Sequence, residues 1–232
     1  MIYQEAVENY KMPEKAKEML IQHKPMILCG VTAAGKDTIA RYLMQSGDYA
    51  QIVSHTTRSP RSHSGGNEVN GVDYWFVDDE EAKAMVENDE FVEVKMNHGH
   101  TLYGTSIEAY LRVVDHEKIP LLEIDVKGVL ELIDTLDDEL KVVFLLPPDY
   151  QTWMERLGGR GLMSEDDRRI RFGSAVMELS TLLNDSRFIP VVNSEVVDTA
   201  VAIEDGSYLD VEHREHGKAV AQELLEKIRQ EI

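Results

Sequence analysis

The chain has 232 residues, 43% of them hydrophobic, enough for one substantial domain with a buried core. Its 24 Lys and Arg against 43 Asp and Glu leave a formal charge of -19, which argues against a nucleic-acid polymer or an anionic membrane as a main partner. The single cysteine, Cys29, excludes an intramolecular disulfide, and the sequence shows neither a secretory apolar core near its start nor an apolar run of about 18 residues, so a soluble cytoplasmic protein is expected.

Pro13 opens a helical pattern carried by Ala16, Met19, Leu20 and His23, and Lys24-Pro25 stops it, so residues 1–24 are predicted as a helical extension. Met26-Ile27-Leu28-Cys29 reads as a buried parallel strand ending at Gly30. After a glycine-framed loop, Ile39, Ala40, Leu43 and Met44 mark one face of a helix. Residues 52–105 alternate strand-like runs with turn residues such as Asn70-Gly71, which predicts a small, mostly β insertion. Two further apolar runs, 119–124 and 142–146, read as central strands, the second halted by Pro147-Pro148, and Val191-Val192 suggests another. Helices are predicted over 126–136, 150–157 and 166–183, and the tail closes with a helical pattern through Ala219, Leu224, Leu225 and Ile228. Strands alternating with helices give an α/β fold, a parallel sheet core with helices on both faces.

Seven of the twelve arginines fall in two windows, Arg58 with Arg61, and Arg156 with Arg160, Arg168, Arg169 and Arg171. An acidic protein repels phosphate on average, so it must concentrate cations where it holds one. Gly30-Val31-Thr32-Ala33-Ala34-Gly35-Lys36 lies between a strand and a helix, the context of a phosphate-binding loop. Its glycines let backbone amides turn toward phosphate oxygens, the following helix adds its positive end, and Lys36 reaches the outer phosphates as a point charge. The next position usually carries a Ser or Thr that helps hold magnesium; here it is Asp37, followed by Thr38. An aspartate there either binds Mg²⁺ or its water shell, or weakens phosphate binding by repulsion. One phosphate loop and two arginine clusters point to a nucleotide-using phosphotransferase.

From Ser54 onward the pattern becomes specific. Ser54-His55-Thr56-Thr57-Arg58-Ser59-Pro60-Arg61, Glu68-Val69-Asn70-Gly71-Val72-Asp73-Tyr74-Trp75-Phe76, Glu90-Phe91-Val92-Glu93, Leu102-Tyr103-Gly104-Thr105-Ser106, Ile124-Asp125-Val126-Lys127-Gly128 and Arg156-Leu157-Gly158-Gly159-Arg160-Gly161 resemble segments of guanylate kinases, in family order, over roughly residues 25–195. The resemblance implies the P-loop nucleoside-monophosphate kinase fold, with core segments 25–51, 106–150 and 172–203, a GMP-binding subdomain at 52–105 and a helical lid at 151–171. It leaves extensions at 1–24 and 204–232 unexplained. It also implies ATP and GMP as ligands, with Mg²⁺. ATP would lie on Gly30, Val31, Thr32, Ala33, Ala34, Gly35, Lys36, Asp37 and Thr38, with Asn193 near the adenine and Asp37 holding Mg²⁺ through water. Arg58, Arg61, Tyr74 and Tyr103 would take the GMP phosphate, Glu93 the N1-H and N2-H2 edge of guanine, and Ser54 and Thr105 its remaining contacts. Glu123 and Asp125 would orient GMP or the Mg²⁺ water shell, and Lys36, Arg160 and Arg171 would serve catalysis.

Arg156, Arg168 and Arg169 read as lid or surface charges with Glu165, Asp166 and Asp167 as exposed partners. The chain departs from the family pattern at Asp37, at Ala33 where a glycine is usual, and in the link Ser62-His63-Ser64-Gly65-Gly66-Asn67, whose extra length predicts a looser turn. His213 and His216 lack the frame of a metal site, and His98 and His100 read as loop residues. Two other readings stand beside the kinase. A ribose 1,5-bisphosphate phosphokinase would not need Ser54, Glu93 and Thr105; a guanylate-kinase-like binding module would not need Lys36 and the lid arginines. Monomer and homodimer both remain open.

Overall fold

A computed structural model describes residues 4–63, 66–97, 101–136, 140–159 and 164–231. In chain order, α1 (Gln4–Glu8) and α2 (Glu14–Gln22) precede β1 (Met26–Gly30) and α3 (Lys36–Ser46). Next come β2 (Tyr49–Gln51), β3 (His55–Thr56), β4 (Ser62–His63), β5 (Gly66–Asn67), β6 (Trp75–Phe76), α4 (Asp79–Glu87), β7 (Phe91–Asn97), β8 (Thr101–Ser106) and α5 (Ile107–Asp115). The chain continues through β9 (Ile119–Glu123), α6 (Val126–Leu136), β10 (Val142–Leu146), α7 (Tyr150–Gly158), α8 (Glu165–Asn184), β11 (Phe188–Val192), α9 (Val196–Glu204) and α10 (Val211–Gln230). It divides into a small unit, Met1–Pro25 with Ala50–Pro120, and a core unit, Met26–Tyr49 with Leu121–Ile232.

The core unit is built on a sheet of order β11-β10-β1-β9-β2, in which β1 pairs in parallel with both β10 and β9 and β10 pairs in parallel with β11. Every residue of β10 is buried, as its unbroken Val-Val-Phe-Leu-Leu run requires of a strand covered on both faces. At the end of β1 the backbone of Gly30 comes so close to Leu145 that an added Cβ would overlap the Leu145 carbonyl oxygen, and its φ is +134°. Only glycine fits there. The helix α3 then starts at Gly35 without any side-chain cap, so the amides of its first turn are not satisfied by a capping side chain. The C-terminal extension is part of this unit's core: α10 buries Val220, Ala221, Leu224, Leu225 and Ile228, and Gly217 lets it approach Pro190 of β11. Ala219, expected on the inner face, is exposed instead; the buried stripe runs one position later, through Val220.

The small unit carries a second sheet of order β6-β3-β8-β7, with α4 packed on it through Ala82 and Val86. The sequence reading of this region as mostly β omitted that helix, which Asp78 caps by accepting from the Glu81 amide at 2.8 Å. In the link expected to be loose, β4 and β5 pair antiparallel with Ser62 opposite Asn67, and its turn residues Ser64 and Gly65 lie outside the described residues. The N-terminal extension belongs here. Val7 joins the core cluster, and the Tyr10 hydroxyl donates to the Phe91 carbonyl at 2.7 Å and accepts from the Phe91 amide at 3.0 Å, occupying both backbone groups of an edge-strand residue. Among the described residues, no helix is long and apolar enough to cross a membrane.

Candidate active site

The loop between β1 and α3 is held from behind by two elements of the core unit. Trp153 of α7 donates its indole N–H to the Thr32 carbonyl at 2.8 Å. The buried Asn193, which follows β11, donates its amide to the Ala34 carbonyl at 2.8 Å. An added Cβ at Gly35, whose φ is +98°, would overlap that same Asn193 amide. Asn193 therefore braces the loop with its side chain, whatever its backbone does toward a base. Ala33 takes a φ of +66°, the left-handed conformation a glycine adopts freely, at a cost of about 1–2 kcal/mol. The replacement thus keeps the loop's shape and adds strain.

Lys36 curls back over the loop and donates to the carbonyls of Gly30 at 2.7 Å and Val31 at 3.2 Å. Burial lowers its affinity for a proton, and the surrounding acids, Glu178 first, restore part of it. Asp37 and Thr38 are exposed in the first turn of α3. Half-buried Glu123, at the end of β9, titrates above the usual carboxylate range because of burial first and the neighbouring Asp37 second. Two hard carboxylates beside a phosphate loop suit Mg²⁺, which takes one or two protein carboxylates and completes its shell with phosphate and water. Among the described residues, no group of three or more His, Cys, Asp and Glu side chains forms a metal cage, His213 and His216 included.

In the small unit Arg58 is clasped before any ligand arrives. Its Nη1 donates to Glu68 Oε2 at 2.7 Å and its Nη2 to Glu68 Oε1 at 2.9 Å, while Nε donates to the Tyr103 hydroxyl at 3.2 Å. The guanidinium also lies over the rings of Tyr74 and Phe76, at 5.2 and 5.7 Å from their centroids. Glu68 further accepts from the Arg61 amide at 2.7 Å, and the hydrogen bond from Arg58 is the main reason its carboxyl titrates near 2. The Arg61 side chain is exposed. One strand pair away, Glu93 of β7 and Thr105 of β8 stand opposite each other, and the Thr105 hydroxyl donates to Glu93 Oε1 at 2.8 Å. Ser54 is half-buried and its carbonyl accepts from the Trp75 amide at 2.8 Å.

The structure thus gathers Arg58, Tyr74 and Tyr103 into one cluster and pairs Glu93 with Thr105. Glu123 and Asp125 fall in the core unit, Glu123 beside Lys36 and Asp37, and Asp125 at the start of α6 accepting from the Gly128 amide at 2.7 Å. Half-buried Arg171 lies on α8 with Asp167 as its charged neighbour; Arg160 lies outside the described residues, as do His98 and His100. Of the arginines read as lid or surface charges with Glu165, Asp166 and Asp167 as partners, Arg168 is a partly exposed charge with a different partner and Arg156 is half-buried. Arg156 donates to the Asn193 carbonyl at 3.1 Å, and its Nη1 is buried without a partner among the described residues. Arg168 pairs with Glu231 at the far end of α10 and lies over the Phe172 ring, because Asp167 is engaged by Ser164 in the cap of α8. Sequence reasoning also passed over Glu68, Trp153 and Glu178. Only Glu68 carried a signal, as the acid next after two arginines in the same segment.

A family model described as guanylate kinase matches residues 22–205. A guanylate kinase of Leifsonia xyli subsp. xyli is 32% identical over 203 residues, covering 86% of this chain and 74% of its own length. One from Caldanaerobacter subterraneus subsp. tengcongensis is 34% identical over 177 residues, covering 76% and 82%. Among solved structures, the guanylate kinase of Anaplasma phagocytophilum matches with a TM-score of 0.53 and 26% identity, over 88% of this chain and 94% of that one. The family match starts ahead of β1 and ends just past α9, so it takes in the phosphate loop and the Glu93–Thr105 pair together: the chain belongs to the guanylate kinase family.

Proposed function

We propose that this protein transfers the γ-phosphoryl group of ATP to GMP or dGMP, giving ADP and GDP or dGDP. The observation that carries the reading is the Glu93–Thr105 pair, a carboxylate oriented by a cross-strand hydroxyl at 2.8 Å. Guanine presents two adjacent donors, N1-H and N2-H2, which a fixed carboxylate accepts together. Adenine presents the reverse pattern and leaves buried groups unpaired, a discrimination of about 10⁴-fold or more. A ribose bisphosphate acceptor has no use for this pair.

The chemistry asks little of a base, since the acceptor phosphate is already nucleophilic near neutral pH. Arg58, positioned by Glu68 and Tyr103, and Arg61 fix the acceptor phosphate, with Tyr74 and Tyr103 as hydroxyl donors. Lys36 and the uncapped amides of α3 hold the ATP phosphates. Arg160 and Arg171 neutralise charge on the group in flight. Asp37 and Glu123 would hold Mg²⁺ through its water shell, and the ion would screen charge between the donor phosphates. The buried free thiol of Cys29, whose proton burial holds on tightly, suits a reducing cytoplasm and takes no part.

A coupled assay of purified protein with ATP, Mg²⁺ and a panel of monophosphates tests the reading. GMP and dGMP should turn over well, IMP poorly and AMP not at all. Turnover of ribose 1,5-bisphosphate in place of GMP would overturn it.

A further inference from the structure

Ala33 sits in the phosphate loop with a φ of +66°, a conformation that a residue with a Cβ avoids unless its surroundings impose it. Two buried side chains impose it, one on each side. Trp153 of α7, 1% exposed, donates from its indole Nε1 to the Thr32 carbonyl at 2.8 Å. Asn193, 2% exposed, donates to the Ala34 carbonyl at 2.8 Å. The indole is held in that direction by its neighbours. Its ring packs on Phe172 of α8, with centroids 5.3 Å apart, and on Tyr150, 6.0 Å away. Phe172 is itself buried, and the Arg168 guanidinium lies over its ring at 4.9 Å. The peptides of the loop are trans, so each carbonyl and the N–H that follows it point in opposite directions. Drawing the Thr32 carbonyl back toward α7 therefore turns the Ala33 N–H away from that helix. Drawing the Ala34 carbonyl toward Asn193 does the same for the Gly35 N–H. Both amides are aimed at the side of the loop away from its braces, as a phosphate cradle requires.

We propose that Trp153 is a positioning residue for nucleotide binding: its indole N–H holds the peptide between Thr32 and Ala33 in the orientation that receives phosphate, against the preference of Ala33 for negative φ. The proposal rests on the assignment of loop 30–36 to ATP. Released from the indole, an alanine at position 33 gains by returning to negative φ, which rotates that peptide and takes the Ala33 N–H out of the cradle. A glycine there has no such preference and keeps the shape with less help. The tryptophan and the alanine are therefore coupled, since the donor matters most when the residue beside it carries a Cβ. Phenylalanine in place of Trp153 fills most of the same space and carries no donor.

Four proteins test the coupling: wild type, Trp153→Phe, Ala33→Gly and the double variant, each titrated calorimetrically with ADP in Mg²⁺ and separately with GMP. With Ala33 in place, Trp153→Phe should weaken ADP binding about threefold to tenfold, the worth of one neutral hydrogen bond, and leave GMP affinity unchanged. In the Ala33→Gly background the same substitution should weaken ADP by less than about twofold. In steady state the single variant should show its loss as a higher KM for ATP. Should Trp153→Phe not fold, Trp153→Leu in the same two backgrounds asks the same question. A tryptophan that only packs α7 against α8 would cost the same affinity whether position 33 is alanine or glycine, and that additive result overturns the proposal. So does unchanged ADP affinity in Trp153→Phe with Ala33 in place. Wild-type protein that fails to bind ADP, or binds it equally well as Lys36→Ala, instead overturns the assignment of the loop.

Discussion

The two units treat their key cations in opposite ways. In the small unit, Arg58 has four of its donor contacts made within the protein, to Glu68 twice, Tyr103 and the Ser59 carbonyl, with two rings beneath it. Nothing there waits for a ligand to choose a geometry. In the core unit, Lys36 is turned back onto its own loop, and Glu178 Oε2 and Arg156 Nη1 are buried without partners among the described residues. In the proposed reading the small unit takes the acceptor, and this pre-made cluster lets hydrogen bonds discriminate without reorganisation. The core unit, proposed to hold the donor, keeps both of those buried polar atoms, Glu178 Oε2 and Arg156 Nη1, without a partner among the described residues. Each such unpaired buried polar atom is costly to keep.

The sharpest separation of the two comes from Lys36→Ala. Transfer should fall by about 10³-fold or more, while GMP affinity in a calorimetric titration stays at the wild-type value. Equal loss of GMP binding would mean the units do not divide the ligands as described. Next in size is Glu93→Gln, which turns a two-oxygen acceptor into a half donor that guanine cannot match. We expect a loss of about 2–4 kcal/mol in kcat/KM for GMP, with IMP affected far less because it lacks the N2 donor. A wild-type enzyme that already treats GMP and IMP alike would remove Glu93 from base reading. Smaller again is Glu68→Gln, which loosens the clasp on Arg58 and the anchor of the Arg61 amide. KM for GMP should rise by about tenfold with kcat almost unchanged, since only acceptor positioning is disturbed. A fall in kcat without a change in KM would place Glu68 in the transfer step itself.

Local sequence made the core unit legible where one run of residues determines one element. The spans of α6 and β10 coincide with those read from the sequence, because an amphipathic run and a Pro147-Pro148 stop leave no choice. The small unit was harder. Its helix α4 is announced only by Asp78 and the Ala82–Val86 spacing inside a turn-rich stretch, and Tyr10 reaches Phe91 across 81 positions with no local sign. At the candidate site, the residues proposed to meet a ligand stood out by type and spacing. Side chains distinguished only by their packing did not. Glu178 is one acid on a helix that also carries Glu165, Asp166 and Asp167, and only tertiary packing separates it from them. Arg156 looked like its clustered neighbours until Asn193 met it.

The smallest effect belongs to His55, and it tests the comparison through stability. Its ring stacks on Trp75 with centroids 6.2 Å apart and meets the edge of Phe91 at 5.9 Å, while Nδ1 is buried without a partner among the described residues. Burial holds its pKa down to about 4, opposed by Glu108 and aided by Arg112 on α5. A histidine depressed in the folded state stays neutral there while the unfolded chain takes up a proton, so the unfolded state binds more protons between its ordinary pKa, about 6.5, and 4. The stability this provides is complete above pH 6.5 and is lost progressively as pH falls toward 4. Denaturant unfolding followed by circular dichroism should therefore show a midpoint that declines across that window, and His55→Gln should flatten part of the decline while leaving the midpoint above pH 7 little changed. An equal slope in both proteins would mean that the ring is already protonated in the fold and that the small unit, too, carries an unsettled charge.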